Sequence, residues 1–135
     1  MGSEPGVALE AGTEVQFFDV LIVGAGIAGI GSAYHLSKQA PERTFKVLEA
    51  QASFGGTWLT HQYPGVRSDS DLHTFGYRFK PWRGPPIATG PEILAYMEEV
   101  IDEIGLGEHF QYRTRIRSAR WSSLEILLFV EVERT

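Results

Sequence analysis

Six residues, Gly24-Ala25-Gly26-Ile27-Ala28-Gly29, restrict this chain more than any other stretch, because three glycines at this spacing suit a sharp exit from a strand into a helix. Upstream, Phe17 to Val23 reads FFDVLIV, a short apolar run of β-branched and aromatic residues, as expected of a buried parallel strand. Downstream, from about Gly26 to Lys38, Ile27, Ile30 and Tyr34 recur at helical spacing with no breaker before Pro41. Thr44 to Ala50, TFKVLEA, then restores a strand. The unit is strand, tight turn, helix, strand, a crossover that is right-handed in nearly all cases.

Each glycine has its own task in such a unit. Gly24 turns the chain off the strand, Gly26 brings bare backbone against a pyrophosphate, and Gly29 lets helix and strand pack closely, with Ala33 keeping that contact small. The helix then offers free N–H groups and the positive end of its dipole to phosphate oxygens. Glu49 ends the second strand 20 residues after Gly29 (49 − 29), the spacing of an acidic residue that accepts hydrogen bonds from a ribose 2′-hydroxyl. Its carboxylate would repel the 2′-phosphate of NADP, so the expected ligand of this first site is FAD or NAD.

A chain of 135 residues suits one domain. Its 43% hydrophobic and 21% charged residues read as an ordinary folded composition. The net charge of −5 gives no electrostatic reason to approach nucleic acid. With no cysteine there is no disulfide, thiolate metal site or dithiol relay. Residues 1–15 are expected to be a flexible tail lacking signal-peptide features, with 16–135 as the folded part. No run approaches the length of a transmembrane segment, and a cytoplasmic location is the default expectation.

Between residues 51 and 90, glycines and prolines such as Gly55, Gly56, Pro64, Gly65, Pro81, Gly84, Pro85 and Pro86 predict mostly loop, with one short helix near Asp69 to Tyr77. Long loops of this kind are usually functional. Pro91 is expected to open a helix carrying Ile93, Met97, Val100, Ile101 and Ile104 on one face, with Gly105 at its exit. Phe110, Tyr112, Thr114 and Ile116 then alternate with polar residues as in a strand, and ILLFVEVER should pair back on residues 117–122. The four histidines show no metal-ligand spacing. Arg113, Arg115, Arg117 and Arg120 read as the wet face of a strand, and Phe79 and Trp82 as residues packing the loop onto the core.

Gly55-Gly56-Thr57-Trp58 arrives six residues after Glu49 (55 − 49), too early for the second half of an ordinary dehydrogenase domain. A cofactor that extends beyond its adenosine end would need such bare backbone and a flat aromatic beside it. The competing reading is a loop with a core tryptophan.

The motifs GAGIAG, LEA, FGGTW, YPGVRSDSD and FGYRFKPW, from about Phe18 to Trp121, resemble those of the class B flavoprotein monooxygenases, within them the Baeyer-Villiger type and its ethionamide-activating branch. The resemblance implies an α/β fold: a Rossmann-type FAD-binding βαβ unit of the glutathione-reductase-like two-dinucleotide-binding fold, incomplete at the C-terminus. It implies FAD and NADPH as cofactors and oxygen with a small-molecule ketone or sulfide as substrates. Residue by residue, it puts Gly24, Gly26, Ala28 and Gly29 around the FAD pyrophosphate and Glu49 on the adenosine ribose. Gly56, Thr57, Trp58, Leu59, Thr60 and Tyr63 would lie along the flavin side, Arg67, Ser68 and Asp69 between flavin and nicotinamide, and Ile116 at the adenine end. Asp69 is the expected catalytic residue, positioning the nicotinamide and shaping charge near the flavin. A helix-capping role is its alternative.

Full-length members of that family carry a second glycine fingerprint for NADPH, a linking motif with a histidine and a downstream arginine, none of which is found here. The resemblance therefore implies a chain ending within the first domain, with VLIV as an unprotected edge strand. Such a piece is expected to be aggregation-prone, to bind FAD weakly if at all, and to turn over nothing by itself. A flavin disulfide reductase is disfavoured by the missing cysteine pair, while an NAD-binding dehydrogenase and a catalytically inactive, truncated FAD/NAD-binding module stay open. Substrate identity and oligomeric state are not set by these residues.

Overall fold

The expected crossover unit forms the centre of the molecule. A computed structural model describes residues 6–68 and 72–135. Strands β1 (Gly6–Ala11), β2 (Glu14–Phe18) and β3 (Val20–Val23) precede helix α1 (Ile27–Gln39) and strand β4 (Phe45–Leu48). Two four-residue helices, α2 (Thr57–Thr60) and α3 (Leu72–Phe75), interrupt the long loop before α4 (Gly90–Ile104). A 3₁₀ turn leads into β5 (Phe110–Gln111), β6 (Thr114–Ser122) and β7 (Leu127–Arg134).

The strands form two sheets. One is parallel, in the order β3-β4-β5, with Val20 opposite Phe45 and Val47 opposite Phe110. Period-two alternation sends Val20, Ile22, Phe45 and Val47 toward the helices, where Ile30, Ala33, Ile93, Met97 and Val100 complete the larger core. Leu21 and Leu48 point the other way and pack against Val7, Leu9, Val130 and Val132 of the second sheet. That second sheet runs β2-β1-β7-β6, with β1 parallel to β7 and its other pairs antiparallel. The result is three layers: helices, parallel sheet, mixed sheet.

Two expectations change here. Gly6–Ala11 and Glu14–Phe18, whose first ten residues fall largely in the stretch expected as a flexible tail, form a hairpin instead. Val7, Ala8 and Leu9 are buried because β1 is sandwiched between β2 and β7. The apolar run Phe17 to Val23 is likewise not one strand. Phe17 and Phe18 pair with β1, Val20 to Val23 pair with β4, and Asp19 is the joint. Its carboxylate accepts hydrogen bonds from the Thr44 N–H (2.8 Å) and hydroxyl (3.3 Å), while its own N–H reaches Thr44, so the chain changes sheet there. β3 has a single strand partner and borders its sheet, with Val23 68% exposed.

α4 opens with a capping box that its sequence signature, Thr89-x-x-Glu92, announces: the Thr89 hydroxyl accepts from the Glu92 N–H while the Glu92 carboxylate accepts from the Thr89 N–H. Those bonds from Thr89 hold the Glu92 carboxyl below its ordinary pKa. Gly105, left-handed at φ 70°, ends the helix. Trp82 is buried and Phe79 stacks on Tyr34 at 3.6 Å, so both fasten the loop to the helical layer. Among the described residues no helix is long and apolar enough to cross a membrane.

Met97 has no exposed surface and lies at the centre of the larger core. Met97→Ala is expected to lower unfolding free energy by about 2–5 kcal/mol. Glu98→Ala on the opposite face should stay within about 0.5 kcal/mol of the parent in the same urea titration.

Candidate dinucleotide site

The turn after β3 is built as the spacing requires. Gly24 takes φ +100° while its N–H bonds the Leu48 carbonyl at 2.7 Å, which ties the turn to the end of β4. At Gly29 a β-carbon would stand 1.8 Å from the Gly24 oxygen, so only glycine lets the helix start this close to the strand. α1 begins at an extended Gly26 with no side-chain cap and no acidic residue in its first turn. Its leading N–H groups, from Ile27, Ala28 and Gly29, are therefore offered at the positive end of the dipole without a protein carboxylate competing for them.

The second glycine pair lies against the first. The Gly55 N–H bonds the Ala25 carbonyl at 2.9 Å, and a β-carbon on Gly56 would meet Gly26 Cα at 3.1 Å. Gly55 (φ +133°) and Gly56 (φ +55°) both use backbone conformations that side chains disfavour. Gly55 is further hemmed in by Leu59 and Leu94. α2 starts at this contact, so Thr57 and Thr60 stay exposed while Trp58 and Leu59 are half-buried over the helical core. The Thr60 hydroxyl accepts a hydrogen bond from the Gln51 side chain at 2.8 Å.

Glu49 binds these pieces together. One carboxylate oxygen accepts the Ala25 N–H at 2.8 Å and the other the Gln51 N–H at 2.9 Å, leaving the residue 9% exposed. Its backbone bonds Gln111 and Thr114, which anchors the strand end to β5 and β6. Burial, and next the Glu49 carboxylate, hold the Tyr112 hydroxyl above its ordinary pKa. The carboxylate thus sits directly beside the glycine turn, and each oxygen keeps acceptor capacity beyond the one backbone bond it takes.

Other expected site residues lie elsewhere. Ile116 packs half-buried in the second core with Leu48 and Val132. Ser68 is buried, its N–H on the Ala88 carbonyl (2.8 Å) and its hydroxyl accepting the Ala88 N–H (3.1 Å). Arg67 is exposed and bonds the Gly65 carbonyl at 3.3 Å. Tyr63, 62% exposed, borders an open groove of about 600 Å³ with Val66, Pro91 and Leu94. Asp69, the expected catalytic residue, lies outside the described residues. Sequence reasoning missed Ala25, which carries no motif letter yet supplies the N–H to Glu49 and the carbonyl to Gly55.

Residues 22–84, which hold both glycine clusters and Glu49, match the family described as "NAD(P)-binding Rossmann-like domain". A probable FAD-binding monooxygenase AlmA of Acinetobacter baylyi is 47% identical over 119 residues, 87% of this chain and 24% of that protein. The FAD-containing monooxygenase EthA of Mycolicibacterium smegmatis is 45% identical over the same shares. Over most of its length the chain is therefore similar to FAD-containing monooxygenases. Among solved structures, an oxidized steroid monooxygenase bound to NADP superposes with a TM-score of 0.77 at 32% identity, covering 86% of this chain and 24% of that one. A cyclohexanone-bound cyclohexanone monooxygenase gives a TM-score of 0.77 at 29% identity, covering 93% and 25%. A relative of the expected branch is among the matches and the Rossmann-like α/β fold is found, and the chain spans about a quarter of the length of the relatives it matches.

Gly29→Ala is expected to force the start of α1 away from Gly24, destabilising the chain by at least about 1–3 kcal/mol. Urea unfolding monitored by circular dichroism checks this, with Ser32→Ala on the exposed face of α1 as the comparison.

Proposed function

We propose that this chain is the FAD-binding portion of an NADPH-dependent flavin monooxygenase. The whole protein would insert one oxygen atom from O2 into small ketones or oxidise sulfides and thioamides, in a cytoplasmic setting. The observation that carries the reading is the convergence of two separate glycine clusters on one helix start beside a buried carboxylate. A β-carbon at position 29 or 56 would fill the space where backbone now meets backbone, which is the shape a diphosphate-bridged ligand needs from a protein. The names of the relatives and the ligands of the solved neighbours agree with FAD and NADP.

In this reading the Gly24, Gly26, Ala28 and Gly29 backbone binds the pyrophosphate through the α1 dipole and N–H groups, and Glu49 accepts the ribose hydroxyls. Gly56, Thr57, Trp58, Leu59, Thr60 and Tyr63 border the flavin half, with Arg67, Ser68 and Asp69 between flavin and nicotinamide and Ile116 toward adenine. When bound, FAD supplies the redox chemistry that activates oxygen with electrons from NADPH. The chain's own contribution is to orient that cofactor and to keep water from the side covered by Trp58 and Leu59. Asp69 would position the nicotinamide.

Mixing the purified chain with FAD and separating free flavin by gel filtration tests the reading. With the chain in excess, flavin should elute ahead of its free position, held weakly as expected of this piece alone. Glu49→Gln should weaken retention about 10-fold or more, since it removes a charge-assisted acceptor for the ribose. Retention of NAD with no retention of FAD would replace this reading by that of an NAD-binding module.

A further inference from the structure

One glycine outside the fingerprint stands in the middle of a helix. Gly31 lies inside α1, where glycine costs about 1 kcal/mol relative to alanine and no turn requires it. Its reason lies across the helix surface, because a β-carbon there would stand 3.0 Å from the Tyr77 ring. With that side chain missing, Tyr77 reaches α1, and its hydroxyl donates a hydrogen bond to the Ile27 carbonyl in the first turn. Tyr77 is itself held firmly. Its N–H donates to the Tyr96 hydroxyl at 2.9 Å, its ring stacks on Phe79 (4.7 Å) and Tyr96 (5.7 Å), and the Tyr96 hydroxyl in turn donates to the Lys80 carbonyl.

The Ile27 carbonyl belongs to the same peptide unit as the Ala28 N–H. A hydrogen bond donated to a peptide oxygen polarises the unit and strengthens its N–H as a donor, by roughly 10–30% per bond. We propose that Tyr77 is a positioning residue for the diphosphate site: through the Ile27 carbonyl, its hydroxyl orients and polarises the peptide whose Ala28 N–H binds the ligand's phosphates. This rests on the dinucleotide reading above. Burial, and after it the neighbouring Tyr96, raise the Tyr77 hydroxyl's pKa while the Gly31 backbone draws it down, so the group keeps its proton and stays a donor at neutral pH.

A hydroxyl that merely fastened the loop would serve every ligand alike, whereas a polarised Ala28 N–H favours ligands that carry phosphate. Calorimetric titration of the chain with ADP and with adenosine separates the two. Tyr77→Phe should weaken ADP about 3- to 10-fold and leave adenosine within about twofold. Glu98→Ala, at an exposed position of α4, should leave the ratio of the two affinities unchanged. A second measurement does not depend on Y77F folding well: chain grown with 3-fluorotyrosine, a more acidic phenol and stronger donor, should bind ADP more tightly with adenosine unaffected. Equal losses for both ligands in Y77F, or no change in either experiment, would overturn the role given to Tyr77 while leaving the dinucleotide reading standing. Failure of the unsubstituted chain to bind ADP would overturn both.

Discussion

One buried carboxylate carries an unusual share of this architecture. Glu49 stands where β4 ends, and its two oxygens take one N–H from the glycine turn and one from the loop that begins the second glycine cluster. Removing it would leave two backbone donors without their acceptor in a site with little access to water, the kind of loss that costs more than the bond itself is worth. The Ala25 carbonyl then receives the Gly55 N–H, so the same short turn is fixed from both sides. Ligand geometry and fold geometry are thus set by the same few atoms.

That dependence explains which parts of the fold were legible in the sequence. α1, β4 and α4 follow from local periodicity and local punctuation, and the Gly29 to Glu49 spacing follows from the length of one helix plus one strand. The hairpin β1–β2 was not legible, because its partner is β7 at the far end of the chain and the pairing of Gly6 with Leu127 leaves no local trace. The joint at Asp19 was hidden for a related reason. A single acidic residue inside an apolar run looks like noise until Thr44, its partner from another element, comes beside it.

The candidate site was legible to the extent that it is made of backbone. Glycines declare themselves in a sequence, and both clusters were read as ligand-facing backbone, although the contact of Gly26 with Gly56 was not. Residues acting through peptide groups do not declare themselves. Ala25 could be many things at that position, and Tyr77 gives no signal beyond the odd glycine at position 31 that makes room for it. Ser68 was expected to face a cofactor, yet its hydroxyl is occupied by the Ala88 N–H, which holds the loop against the entry to α4. The four arginines between 113 and 120 do not form a single stripe. Arg113 takes φ 54° before β6 begins, and a register shift between Ile116 and Ser118 turns the strand, so Arg117 meets Glu131 and Glu133 while Arg120 covers Phe129.

The clamp of Asp19 on Thr44 has a mechanical consequence. β2 runs into β3 without a loop, so a pull on the amino-terminal hairpin would otherwise travel straight along the backbone to Gly24. Asp19 diverts that force into Thr44, the residue just before β4, where it loads a second strand in parallel rather than the glycine turn in series. A disturbance of the outer strand β2 is therefore absorbed before it reaches the turn.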